Sequence, residues 1–167
     1  MTNSALKMKA DVEHPETGLE HRKRLANNLC GLLADTYLLL AKTQGYHWNV
    51  VGPLFVSLHR LTEEQYQNLF EAVDDLAERV RALGFPAPSS ITEMIALAEI
   101  GEDTGNPTAE QMVENLVSDH EAIVRRLREA TVAAEKLHDV VTAGMLTDRM
   151  QFHEKAVWML RAVVTGK

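Results

Sequence analysis

The chain has 167 residues, 46% of them hydrophobic and 25% charged, enough apolar material for one compact domain. Aromatic residues make up only 5%, with 9 glycines and 5 prolines, which argues against sandwiches, propellers and low-complexity chains. Lys and Arg number 17 against 24 Asp and Glu, a formal charge of −7 that excludes a generally basic nucleic-acid binder, because counterion release needs clustered cations.

Residues 1–17 are polar and aperiodic, and read as a flexible tail ahead of a domain over 18–167. Lys7, Lys9, Asp11, Glu13 and Glu16 stand where a signal peptide would need an apolar core. From about Gly18 onward, Leu25, Leu29, Leu32, Thr36, Leu39, Leu40, Thr43 and His47 recur at three- and four-residue spacing, predicting a first long helix. Gly52-Pro53 ends it. Its apolar stretch over 29–41 is interrupted by Asp35 and is too short to span a bilayer. The lone Cys30 can form neither an internal disulfide nor a cysteine-rich zinc site.

Leu58, Leu61, Leu69, Val73, Leu76, Val80 and Leu83 mark a second long helix, stopped by Gly84, Pro86 and Pro88. Ser90 and Glu93 have the spacing of a capping box, opening a minor helix that ends by Glu99. Residues 101–107 read as a loop. Thr108 and Gln111 form a second capping-box pattern before Met112, Leu116, His120, Ile123, Leu127, Ala130, Ala134 and Leu137, the third long helix. A turn within 138–144 leads to the fourth, carrying Leu146, Met150, His153, Val157, Leu160 and Val164. No strand-like alternation competes, so the predicted fold is all-α, a four-helix bundle with a short extra helix between the second and third long ones. The long connection permits a ferritin-like crossover as well as up-and-down packing.

The chemistry lies on the second helix. At about 100° per residue, His59, Glu63, Asp74 and Glu78 fall at about 0°, 40°, 60° and 100°, one continuous stripe. Imidazole with carboxylates suits iron, manganese or zinc. A solvated acidic face is the competing reading, since the same helix carries Glu64, Glu71 and Asp75. Glu63 and Asp74 lie about 16 Å apart along the axis, whereas paired metals sit about 3.5–4 Å apart. One copy therefore cannot gather all four side chains. Two antiparallel copies related by a two-fold axis near Asn68 and Leu69 bring His59 opposite the partner's Glu78, and Glu63 opposite the partner's Asp74. His47 lies on the apolar face of the first helix, twelve residues before His59, as a core residue or a further ligand.

The segments Tyr46-His47-Trp48-Asn49-Val50-Val51-Gly52-Pro53-Leu54-Phe55, Leu58-His59, Asp74-Asp75-Leu76-Ala77-Glu78-Arg79 and Leu83-Gly84 closely resemble the Dps family. These are the DNA-binding proteins from starved cells, or mini-ferritins. His153-Glu154-Lys155 and Trp158-Met159-Leu160-Arg161 resemble that family's last helix. The resemblance implies a ferritin-like subunit assembled as a hollow homo-dodecamer through two-fold and three-fold interfaces. It implies iron as cofactor and cargo: a di-iron ferroxidase site made by His47, His59 and Glu63 of one chain with the partner's Asp74 and the partner's Glu78, and a ferric mineral core. Fe(II) is the implied substrate, hydrogen peroxide the preferred oxidant and oxygen the slower one. A cytoplasmic protein that protects DNA from oxidative damage follows, with no membrane partner.

Two positions depart from the family pattern. Glu63 stands where Asp is common, which bears on affinity for a second iron, and Gly144 stands where many relatives carry a pore acid. Glu64 reads as a mineral-nucleating or simply solvated residue, and Trp48 as an interceptor of oxidants or an interface residue. His120, His153 and Asp148 read as packing, ligand-supporting or interface groups. Three rivals stand beside this reading. A di-iron site inside one bundle needs paired Glu-x-x-His motifs, and only Glu135-x-x-His138 is present. A nucleoid-compacting protein would bind DNA through Lys7, Lys9 and the terminal amine, weakly and in a salt-sensitive way. The third is a metal-free helical interaction module.

Overall fold

The computed structural model describes residues 9–11 and 17–165, so most of the predicted tail, including Lys7, Glu13 and Glu16, lies outside the described residues. Among the described residues five helices form: α1 (Arg22–Asn49), α2 (Phe55–Ala82), α3 (Ile91–Leu97), α4 (Ala109–Lys136) and α5 (Val140–Val164). No strand occurs among the described residues. Both predicted capping boxes are made, Ser90 with Glu93 opening α3 and Thr108 with Gln111 opening α4. Two boundaries differ from the periodicity. Helix α1 starts at Arg22 rather than near Gly18, and α5 starts at Val140, which puts Gly144 inside a helix rather than in a turn. The Asp139 side chain accepts a hydrogen bond from the Thr142 N–H at 3.0 Å, and that cap shortens the reversal.

Contacts between helices fix their directions. His47 meets His59 while Arg22 reaches the Leu83 carbonyl, so α1 and α2 are antiparallel. Asp35 pairs with Arg126 and Lys42 with Asp119, so α1 and α4 are antiparallel too. Arg128 pairs with Glu154 and Glu121 with Arg161, which reverses α5 against α4. Helices α2 and α4 therefore run parallel, and the connection over 83–108 must travel the bundle's length, about 42 Å for a 28-residue α1. This is the crossover topology.

Asp35 holds that connection in place. Its carboxylate is 1% exposed in the middle of α1. One oxygen accepts from the backbone N–H groups of Glu99 and Ile100, at 2.6 and 3.2 Å. The other pairs with Arg126 of α4 at 2.5 Å. Arg126 also donates to the Gly31 carbonyl at 3.2 Å. A Cβ at Gly31 would lie 2.0 Å from the guanidinium, so the glycine makes room for that arginine over the helix.

The apolar core runs through Leu25, Leu29, Leu32, Leu58, Leu69, Leu76, Leu116, Ile123, Leu127 and Leu160. One of its layers is polar. His120 of α4 and His153 of α5 are fully buried, with their Nδ1 atoms 2.8 Å apart, one donating to the other. Burial, reinforced by the Arg149 cation, pushes His120 down to about 3. Burial followed by the His120 and Arg149 charges also holds His153 well below the ordinary range. Both rings are thus neutral in the folded protein at neutral pH.

Asp35→Ala should destabilise the protein by about 3–5 kcal/mol, because Arg126 and two backbone donors lose their acceptor. Gly31→Ala should cost less, since only a side-chain end must move. Urea unfolding measures both. A second expectation concerns acid. The unfolded chain protonates its histidines near pH 6.5 while the buried pair resists, so unfolding takes up protons between about pH 6.5 and 3. Stability should fall with pH in that window, by up to about 1.4 kcal/mol per pH unit for each histidine. His120→Phe with His153→Leu should flatten the slope, and a pH series of urea midpoints reads it.

Candidate metal centre

The end of α1 and the start of α2 are joined by residues 50–54, where Gly52 has φ 90°. Only glycine takes that conformation without strain, and it allows the chain to reverse directly after His47. Val50, 1% exposed, anchors the reversal by donating its N–H to the Tyr46 carbonyl at 2.9 Å.

Two histidines meet across this junction. His47 Nδ1 donates to the His59 carbonyl and His59 Nδ1 donates to the His47 carbonyl, each at 2.8 Å. A carbonyl cannot donate, so both ring protons sit on Nδ1 and each Nε2 is left for a ligand. His59 also satisfies one of the carbonyls that the last turn of α1 leaves without a helical partner. The rings stack with centroids 3.8 Å apart and planes at 16°. Tyr66 closes on His47 edge-first at 5.2 Å, and Phe55 lies on His59 at 5.1 Å. Backbone acceptors and aromatic walls together fix the tautomer and orientation of both imidazoles, as metal-binding histidines require.

The carboxylates are placed unevenly. Glu63 is half-buried one turn after His59. Asp74 and Glu78 are exposed farther along α2, at a separation from Glu63 that a straight helix maintains. Among the described residues of one subunit, no group of three His, Cys, Asp or Glu side chains could hold a metal ion. The structure thus brings His47 and His59 together, keeps Glu63 one helical turn from His59 and leaves Asp74 and Glu78 apart. Glu135 and His138 are exposed and point away from the bundle interior that a single-bundle di-iron site would need. Trp48 is exposed, and Asp148 too, whereas His120 and His153 are buried against each other.

The donor stripe shares its face with apolar side chains. Phe70 is 67% exposed and falls about 20° from His59 on the helix, between the imidazole and Glu63. Val56 is exposed in line with Asp74. The buried side of α2, carrying Leu58, Leu61, Leu69, Leu76 and Val80, lies on the opposite face. An open cleft of about 660 Å³ beside α1 contains Tyr46 and Asp103, which are hydrogen-bonded to each other. Asp103 accepts from the Tyr46 hydroxyl, from the Gly105 N–H and from Asn115, contacts that hold its carboxyl below the usual range.

The ferritin family model, described as a ferritin-like domain, matches residues 26–166. A DNA protection during starvation protein of Helicobacter pylori is 33% identical over 132 residues, covering 78% of this chain and 92% of the relative. The chain belongs to the Dps family of ferritin-like proteins. A low temperature-induced protein of Nostoc is 46% identical over 150 residues, covering 89% of this chain and 84% of the relative. The crystal structure of a Dps protein from Vibrio cholerae, described as ferritin-like and diiron-carboxylate, superposes with a TM-score of 0.85 at 31% identity. It covers 92% of this chain and 98% of that one. No helix among the described residues is long and apolar enough to cross a membrane.

The junction geometry has a direct spectroscopic consequence. In their neutral form His47 and His59 should give ¹⁵N shifts that report Nδ1 protonated and Nε2 bare. Resonances from Nε2-protonated rings at these two positions would contradict the reciprocal hydrogen bonds.

Proposed function

We propose that this Dps protein oxidises Fe(II) at sites shared between two-fold-related subunits and stores the product as a ferric mineral inside a hollow homo-dodecamer. One observation carries the reading: α2 turns its carboxylate stripe and the exposed Phe70 away from its own core, while two oriented imidazoles stand at one end of that stripe. A second copy, antiparallel about Asn68 and Leu69, covers the apolar side chains and completes the donor set with the partner's Asp74 and the partner's Glu78. The family resemblance supports the same pairing.

In this mechanism His47, His59 and Glu63 bind and position Fe(II) substrate through Nε2 and carboxylate oxygens. The carboxylates from both chains favour the ferric state by their negative charge. Two Fe(II) ions each give one electron, and one hydrogen peroxide takes both with two protons to yield two waters. Simultaneous two-electron transfer leaves no hydroxyl radical, and oxygen serves as the slower oxidant. Removal of iron and peroxide together protects DNA without requiring contact with it. A cytoplasmic location agrees with this role.

Glu63→Ala and Asp74→Ala test the sharing, because neither side chain supports the helix junction. Each variant homo-oligomer lacks a ligand at every site and should oxidise Fe(II) roughly tenfold slower or worse. Co-assembled subunits form some dimers with one intact site, so the mixture should recover up to half of the native rate. No recovery, with mixed assembly verified by native mass spectrometry, rejects the shared site.

A further inference from the structure

The polar layer inside the bundle has more donors than its own side chains can use. Gln65 of α2 is 4% exposed, and neither its amide oxygen nor its amide nitrogen has a hydrogen-bond partner. His120 Nε2 and the Nε and Nη2 atoms of Arg149 are likewise sealed from solvent and unpartnered. Helix register places these groups at one level of the bundle. Arg149 Nη1 donates to Asn68, one turn from Gln65, at 2.6 Å, and the guanidinium stacks 4.5 Å from the Phe152 ring centroid. Phe152 contacts both His120 and His153, whose Nδ1 atoms are joined.

Charge identifies the ligand class. Arg149 is always cationic and, among the described residues, has no carboxylate within ion-pair distance. Asp75 and Glu71 act on it only from the exposed side of α2. Buried charges are ordinarily paired, and buried donors ordinarily bonded. When His153 donates its Nδ1 proton to His120, the remaining His120 proton sits on Nε2. His120, Gln65 and two guanidinium nitrogens then all offer N–H groups. A metal cation is disfavoured here by the arginine and the lack of carboxylates. Water would satisfy the donors but leave Asp75 and Glu71, on the exposed side of α2, as the charges that oppose the arginine.

We propose that this layer, bounded by Gln65, His120 and Arg149, is a binding site for one small inorganic monoanion of halide size. The atoms involved are already closed off within a single subunit, so a neighbouring copy cannot supply the missing acceptor. The site is separate from the metal centre: Gln65 and Glu63 stand on opposite faces of α2.

Bromide is the probe. The full-length protein crystallised from bromide should show an anomalous peak within hydrogen-bond reach of Arg149 Nη2 and Gln65 Nε2. At constant ionic strength, replacing gluconate by bromide should raise the melting temperature saturably, on the order of 5 °C at a hundredfold excess over Kd. Gln65→Glu supplies an internal carboxylate and should abolish that dependence. A refined water without anomalous signal in the layer overturns the proposal, as does bromide found only at the surface. Equal halide response in Gln65→Glu and the native chain also overturns it. The native-chain crystal decides the matter if the variant fails to fold.

Discussion

A carboxylate in the middle of an apolar helix must find partners or the bundle will not form, and Asp35 finds them in two other parts of the chain. Two are backbone N–H groups at the midpoint of the 83–108 connection, and one is the Arg126 guanidinium of α4. Satisfying all three requires the connection to cross α1 halfway along its length. An up-and-down bundle would take that segment elsewhere and leave a buried charge unopposed. Gly31 belongs to the same arrangement, because any side chain there would occupy the space of the arginine.

The crossover determines what α2 can present. With α2 and α4 parallel, α2 packs on α1 through its leucine face and contacts α5 through Asn68 and Arg79. Its remaining face, with Phe70, Asp74 and Glu78, is left outward. That face is the one a second subunit covers in the proposed dimer. Arg79 also has a structural role: it pairs with Asp139 at 2.8 Å and reaches Thr142. This ties the end of α2 to the start of α5, so the stripe is carried on a helix held at both ends.

Four histidines pair in two different ways, and position alone separates them. His47 and His59 sit where one helix ends and the next begins, so each ring reaches the other residue's backbone carbonyl with its Nδ1 proton and Nε2 stays open. His120 and His153 face each other from the middles of α4 and α5, so they bond to each other. The first pair is oriented for ligation. The second is part of an enclosed polar layer whose charge belongs to Arg149.

Much of this was legible in the residues. Leucine periodicity, two capping boxes and the Gly-Pro breaks located five helices, because those signals act within a few residues of one another. The 59-to-78 stripe and its symmetry about Asn68 were also readable, since helix geometry converts spacing into angle. Other features were not. Asp35 read as an interruption of an apolar run, and nothing local revealed that Glu99, Ile100 and Arg126 would surround it. Trp48 and Phe70 could not be assigned to core or surface from periodicity. The exchange of hydrogen bonds between His47 and His59 depends on a reversal at Gly52 that sets two helix ends side by side. Helix, cap and stripe are short-range properties, determined by the sequence alone. Topology, the free Nε2 atoms and the unpaired donors around Gln65 required the tertiary structure, because each is a relation between groups that only packing brings within hydrogen-bond distance.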